Sequence, residues 1–165
     1  MVRLTPNEIE PYLSPYLMGG WRQDTLVLET VDVDDGYVRG TVRAVEFFLP
    51  GDGRFHLTIP SVFIWVSQLA IIYGCWEQKL PRKPGEIYVR DIQLKCKRPV
   101  NDPRQIDFEL TLASKRAMPE GIFSSGNISV DRGAFVGKGR FVLPVLGAVS
   151  VARRLAAPLG VTSDV

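Results

Sequence analysis

The chain has 165 residues and a formal net charge of +2, with 45% hydrophobic and 23% charged residues. This composition indicates one globular domain and excludes a disordered chain. The charge is too small to predict nucleic-acid binding, and no basic stretch is interleaved with aromatic residues.

The cysteine and histidine content argues against a metal centre and indicates a reducing compartment. Cys75 and Cys96 fall in apolar surroundings, where two free thiols are a simpler reading than a structural disulfide. One histidine and two distant cysteines do not make a metal-ligand set, so no metal or cofactor is expected. The first ten residues lack the apolar core of a signal peptide, and we expect a cytoplasmic protein.

The first third of the chain predicts a short helix followed by a β-hairpin. The helix spans residues 7–18, and its length is limited by prolines and by Gly19-Gly20. Strands over residues 26–33 and 37–48 follow, joined by the turn Asp34-Asp35-Gly36. Residues 49–54 form a loop that leads to Phe55 and His56.

A long apolar helix over residues 59–79 is the feature around which the rest is organised. Thr58 is suited to the N-cap and Pro60 to the first turn, while Lys79 and Pro81 mark the end. The helix is apolar on all sides, so protein or lipid must enclose it. Its length nearly suffices to cross a bilayer. Polar residues within it and strand patterns on both sides favour a helix enclosed by a sheet, without a membrane span.

Four more strands follow the helix. The first spans residues 87–96. Its apolar residues change from odd to even positions near Arg90-Asp91, which predicts a β-bulge there. Residues 106–112 give the clearest alternation of apolar and polar positions. Strands over 122–130 and 134–145 are joined at Asp131-Arg132-Gly133, and a terminal helix spans about 148–159.

This order of elements predicts an α+β hotdog fold as a single domain over residues 1–165. In that fold a curved antiparallel β-sheet wraps around a long central hydrophobic helix. The side of the helix that the sheet leaves open must be covered, usually by a dimer partner, so we expect a homodimer or higher homo-oligomer. A generic α+β domain is the alternative that the pattern leaves open.

The stretch FHLTIPSVFIWVSQLAIIYG resembles the helix-entry segment of the FcoT-like thioesterase family, whose members are hotdog enzymes of long-chain acyl-CoA. The resemblance rests on His56 with Gln68-Leu69-Ala70, supported by Pro15-Tyr16, by the basic segment over residues 95–101 and by Gly137-Lys138-Gly139. More distantly, a histidine that enters a buried helix through a proline-containing loop resembles the hotdog dehydratases.

The resemblance implies site residues, and the chain departs from the family at some of them. The early active-site tyrosine of the family matches Tyr16. Its loop tyrosine falls on Phe47-Phe48, and its helix asparagine falls on Ser67. The acid that dehydratases carry on the helix has no equivalent between Ile59 and Trp76.

His56, Tyr16 and Gln68 are the candidate catalytic residues. His56 is the only histidine and can orient water or take a proton near neutral pH. Gln68 can polarise a thioester carbonyl, as can the N–H groups at the start of the helix. Each side chain has a structural alternative: a hydrogen bond to backbone for His56, a buried amide bond for Gln68, and plain packing for Tyr16.

Two further groups of residues are candidates for substrate binding. A long acyl chain needs an apolar channel, and six residues are candidates to line it, although each also suits the core: Ser67, Phe48, Phe55, Phe63, Trp65 and Tyr73. CoA phosphates or an acidic carrier protein can meet Lys95, Lys97 and Arg98, which otherwise form a solvated strand face.

The sequence therefore predicts an enzyme that acts on a fatty or polyketide-type acyl thioester, carried on CoA or on an acyl-carrier protein. Thioester hydrolysis is the leading reaction. Dehydration of a 3-hydroxyacyl thioester, or conjugate addition to an enoyl thioester, is the first alternative. A non-catalytic acyl-binding or scaffold subunit is the second.

Overall fold

The computed structural model describes residues 24–81, 83, 88–119 and 121–143, which form one sheet and one helix. The helix is α1 (Ile59–Glu77). The strands are β1 (Thr25–Asp34), β2 (Tyr37–Glu46), β3 (Tyr88–Cys96), β4 (Ile106–Met118), β5 (Gly121–Val130) and β6 (Phe135–Leu143). The helices predicted over residues 7–18 and 148–159 lie outside the described residues.

The six strands form an open antiparallel sheet in the order β1-β2-β4-β5-β6-β3. The turn between β1 and β2 places Gly36 at φ +71°, a left-handed conformation that glycine adopts without strain. The predicted β-bulge in β3 is confirmed, because the pairing with β6 shifts register between Val89 and Asp91. This shift keeps Ile92 and Leu94 packed against the core.

Helix α1 begins where the sequence predicted. The Thr58 hydroxyl accepts a hydrogen bond from the Ser61 N–H at 3.4 Å, and Pro60 occupies the first turn. The helix ends at Glu77, two residues earlier than predicted. Lys79 has φ +52°, so the backbone turns left-handed there and cannot continue the helix.

One face of α1 packs on the sheet and forms the centre of the core. Its buried apolar residues recur every three or four positions: Val62, Val66, Leu69 and Tyr73. They meet the inward-facing side chains of β2 and β4, among them Val38, Val42, Phe108 and Leu110. Gly40 on β2 permits this approach, since a Cβ there would lie 2.8 Å from Leu69 Cδ2.

The opposite face of α1 stays apolar and uncovered within the described chain. Ile64 on this face is 40% exposed. Ile59 and Trp76 are also exposed, at 53% and 51%, at the two ends of the helix. By length and composition α1 could cross a membrane, a property that core helices of soluble proteins share, and here its other face packs on the sheet. The prediction that a second copy covers this face is not tested by a single chain.

Leu69→Ala should lower the free energy of unfolding by about 2–5 kcal/mol, because Leu69 is 1% exposed and its loss leaves a cavity against Gly40. Urea denaturation of the full chain measures this change. Leu49→Ala is the matched control: it deletes the same atoms where the side chain is 50% exposed and should cost less than about 1 kcal/mol. Equal losses for the two variants would contradict the packing described.

Candidate functional site

The segment before α1 is fixed to the chain after β3, and this places His56. Phe55 and Leu57 are buried, at 3% and 5% exposure. The Leu57 N–H donates to the Val100 carbonyl at 3.1 Å, and the Asn101 amide donates to the Phe55 carbonyl at 2.9 Å. Since neighbouring side chains of an extended segment point to opposite sides, His56 is directed toward solvent at the helix entry.

His56 has a carboxylate partner. Its Nε2 lies 2.7 Å from Oδ2 of Asp52, and Asp52 Oδ1 accepts the Arg54 N–H at 3.1 Å. The Arg54 N–H and then the His56 imidazole hold the pKa of the Asp52 carboxyl below its ordinary value. The sequence predicts only a plain loop over residues 49–54, and the contact between Asp52 and His56 is a finding of the structure. The available signal was an aspartate in a glycine turn, four residues before the only histidine.

The first turn of α1 offers few N–H donors. Pro60 has none, and the Ser61 N–H is taken by the Thr58 hydroxyl. The Val62 N–H begins the helical pattern by donating to the Thr58 carbonyl at 3.0 Å. Among the described residues the Ile59 N–H is therefore the first-turn donor without an acceptor; it lies three residues after His56 in sequence, at the positive end of the helix dipole.

Gln68, the other predicted catalytic residue that the structure describes, does not join His56 within one chain. Gln68 lies ten residues beyond the N-cap, which is about 15 Å along the helix axis. It is half-buried on the outer side of α1. Its neighbour Ser67 donates to the Phe63 carbonyl at 2.7 Å, a bond that satisfies its hydroxyl within the helix. Tyr16 lies outside the described residues.

The predicted substrate-lining aromatics divide between the two ends of the helix. Phe55 lies beneath His56, with its ring centroid 5.0 Å from that of Phe47. Phe48 is half-buried, and its N–H donates to Asp24 at 3.2 Å. Phe63 is 38% exposed on α1, whereas Trp65 packs against the core.

Tyr73 lies about 22 Å along α1 from the N-cap, in a separate polar cluster. Its hydroxyl donates to Glu77 Oε1 at 2.7 Å and accepts the Gly36 N–H at 3.0 Å. Lys115 also pairs with Glu77. Burial raises the pKa of the Glu77 carboxyl, but the bonds from Lys115 and Tyr73 outweigh it and leave that pKa below its ordinary value. The cluster joins the end of α1 to β4 and the β1–β2 turn.

The three predicted phosphate-binding residues lie on the basic segment over residues 95–101, whose end contacts the His56 loop through Val100 and Asn101. Lys95 and Lys97 are exposed and have no ion pair within the described chain. Arg98 instead contacts Asp131, through the carboxylate at 3.1 Å and the carbonyl at 2.6 Å. Of these three side chains, the two lysines are therefore the ones that can pair with a ligand.

The described residues hold no group of three or more histidine, cysteine, aspartate or glutamate side chains that could bind a metal ion. Cys75, which is half-buried, and Cys96, which is exposed, are both free thiols.

No protein-family model matches the chain, and no curated protein sequence does. Solved structures do match. A dehydratase heterocomplex, ApeI:P, from Xenorhabdus doucetiae aligns with a TM-score of 0.55 at 18% identity, over 79% of this chain and 89% of its own. A mutant thioesterase from Staphylococcus aureus aligns at 0.52 and 8% identity, over 73% and 93%. A putative thioesterase from Lactococcus lactis aligns at 0.50 and 9%, over 73% and 92%.

These matches confirm the predicted hotdog fold, in which the described residues form an open six-stranded antiparallel sheet and one helix. Thioesterases are among its structural neighbours, in agreement with the resemblance that the sequence indicated. At such low identity the likeness establishes the fold, and the reaction must be argued from the chain's own residues.

Glu77→Gln should destabilise the fold by about 1–3 kcal/mol at pH 7, because Glu77 accepts charged and neutral bonds and is only 16% exposed. The folded pKa of Glu77 is depressed, so its contribution is present above the unfolded value, about 4.3, and is lost as the pH falls below it. Urea denaturation at pH 7 and pH 3.5 measures the difference from the wild type.

Glu29→Gln is the control for this prediction. Glu29 pairs with Arg43, but the two side chains are 40% and 45% exposed, so the change should cost less than about 1 kcal/mol at pH 7. A Glu77→Gln penalty that stays constant, or grows, at acid pH would contradict the assignment of the cluster.

Proposed function

We propose that this chain hydrolyses an acyl thioester carried on CoA or on an acyl-carrier protein. The observation that carries the proposal is the His56–Asp52 pair at the entry of an apolar helix, in which Nε2 and Oδ2 lie 2.7 Å apart. A histidine that is held by a carboxylate and open to solvent is suited to activate water. The thioesterase neighbours share the fold and support this choice of substrate class.

In the proposed reaction His56 takes a proton from water as the water oxygen attacks the thioester carbonyl. The oxyanion that develops is stabilised by the Ile59 N–H at the positive end of α1. When the tetrahedral intermediate collapses, the C–S bond breaks and the thiolate takes the proton back from His56. The carboxylic acid and the free thiol are the products.

The two parts of the substrate have matching surfaces. Phe63, which is 38% exposed near the start of α1, offers the acyl chain an apolar contact at the margin of the face that a second copy is proposed to cover. Lys95 and Lys97 lie on the basic segment that ends at the His56 loop, and they offer positive charge to the phosphates of CoA or of a carrier's prosthetic group.

The proposed active form is a homodimer in which a second copy covers the outer face of α1. A contiguous apolar surface of this kind is typical of an interface. Gln68 lies on that face about 15 Å from the start of its own helix, so a partner is needed if it is to act at a histidine site. Two helices packed side by side in opposite directions would bring Gln68 of one chain toward the helix entry of the other.

Dehydration of a 3-hydroxyacyl thioester is the second candidate, because a structural neighbour is a dehydratase and a histidine base also serves β-carbon chemistry. That neighbour is a heterocomplex. The third candidate function is therefore a non-catalytic acyl-binding subunit that pairs with a different hotdog chain.

Incubation with saturated, 3-hydroxyacyl and 2-enoyl thioesters separates these candidates. Thiol release from the saturated substrate is the expected result, and His56→Ala should lower it about 10²–10⁴-fold. Thr111→Ala, an exposed change on β4, is the control and should keep full activity. Water loss with the thioester intact would replace hydrolysis by dehydration, and binding without turnover would indicate the non-catalytic subunit.

Ile64→Asp should weaken self-association about a hundredfold, because it places an unpaired charge in the proposed interface. Analytical ultracentrifugation over a range of concentrations measures the effect. Val27→Asp is the matched control, since Val27 is 41% exposed on β1 and Ile64 is 40% exposed on α1. A monomeric wild type, or equal effects of the two variants, would exclude this face as the dimer interface.

A further inference from the structure

The bond between His56 and Asp52 fixes more than the position of the imidazole ring. Asp52 uses both carboxylate oxygens: Oδ1 accepts the Arg54 N–H at 3.1 Å, and Oδ2 faces His56 Nε2 at 2.7 Å. The Gly53 N–H donates to the Pro50 carbonyl at 2.9 Å and closes the turn that holds the carboxylate. With Phe55 and Leu57 buried on either side of His56, both members of the pair have defined positions.

We infer that Asp52 is a positioning residue that keeps the proton of neutral His56 on Nε2, so that Nδ1 carries the lone pair that activates water. The inference rests on the proposed function, because water is a reactant only if the chain hydrolyses a thioester. It assigns the base to one atom of the ring.

The assignment follows from donor and acceptor chemistry. An ionised carboxylate can only accept hydrogen bonds, and the depressed pKa of Asp52 keeps it ionised at neutral pH. The nitrogen that faces it, Nε2, must therefore be the donor. A neutral imidazole has one N–H, so Nδ1 is left as the acceptor.

The same geometry accounts for the charge that forms during the reaction. The O–H bond of water breaks, its proton binds Nδ1, and its oxygen forms the new bond to the carbonyl carbon. His56 is then an imidazolium whose Nε2–H still faces the Asp52 carboxylate, which stabilises it without taking the proton. The proton leaves Nδ1 for the departing thiolate, and the neutral Nε2–H tautomer is restored.

Asp52→Asn is the decisive variant because it preserves the turn and reverses the polarity toward His56. The amide oxygen can still accept the Arg54 N–H. The amide nitrogen then replaces Oδ2 and donates to Nε2, which moves the imidazole proton to Nδ1. ¹⁵N NMR of the labelled full chain reports the tautomer directly, and the only histidine gives one unambiguous set of ring signals.

We expect the Nε2–H tautomer in the wild type, the Nδ1–H tautomer in Asp52→Asn, and a fall in kcat of about tenfold or more with little change in KM. Asp52→Glu, which keeps a carboxylate, should restore part of the rate. Asp102→Asn is the matched control: Asp102 accepts the Arg104 N–H at 2.9 Å and is 51% exposed, against 48% for Asp52. It should leave both the tautomer and the rate unchanged.

An Nδ1–H tautomer in the wild type would overturn the inference, as would an unchanged tautomer and rate in Asp52→Asn. Failure of the proposed function gives a different result: the wild type would release no thiol, or His56→Ala would be as active as the wild type. In that case the role of Nδ1 in catalysis is wrong as well. The tautomer measurement still decides whether His56 Nε2 donates a hydrogen bond to Asp52.

Discussion

The structure depends on a helix of 19 residues that is apolar on every side but is met by the sheet on only one. Burial of the stripe from Val62 to Tyr73 against β2 and β4 supplies the core, and each such side chain contributes about 1.5–3 kcal/mol. The face away from the sheet keeps Ile64 in contact with solvent, and Ile59 and Trp76 are exposed at the two ends of the helix. An excess of apolar surface on one helix is what connects the fold to the proposed function.

The entry of this helix is where structural and chemical requirements meet. The chain must leave the sheet, turn and start α1, and hydrogen bonds to Val100 and from Asn101 fix that path. His56 is held between two buried neighbours and receives a carboxylate from its own turn. The end of the basic segment, at Val100 and Asn101, is bonded to the same path, which lies at one end of the apolar helix.

Much of the fold could be predicted because its signals are local. Thr58 and Pro60 mark the start of α1, and the parity change at Arg90-Asp91 marks the bulge in β3. Strand β4 was predicted only to Leu112, where the alternation ends, but its pairing with β5 continues past a register shift to Met118. Pairing with a neighbour can extend a strand beyond its own pattern, and a single sequence does not show this.

The candidate site was predicted less completely, for the same reason. His56 stands out as the only histidine, whereas Asp52 becomes a candidate only because the turn places its carboxylate against His56. Two contacts of the Tyr73–Glu77 cluster span more of the sequence, since Gly36 precedes Tyr73 by 37 residues and Lys115 follows Glu77 by 38. Contacts of that range depend on sheet register, which one chain's pattern does not determine.

The most direct test of this account is a crystal structure of the protein with a non-hydrolysable acyl-thioester analogue. The carbonyl analogue is expected within hydrogen-bond distance of the Ile59 N–H, with a water between the carbonyl carbon and His56 and with the acyl chain against Phe63, beside the dimer interface. A ligand bound on another surface, with the helix entry empty, would contradict it.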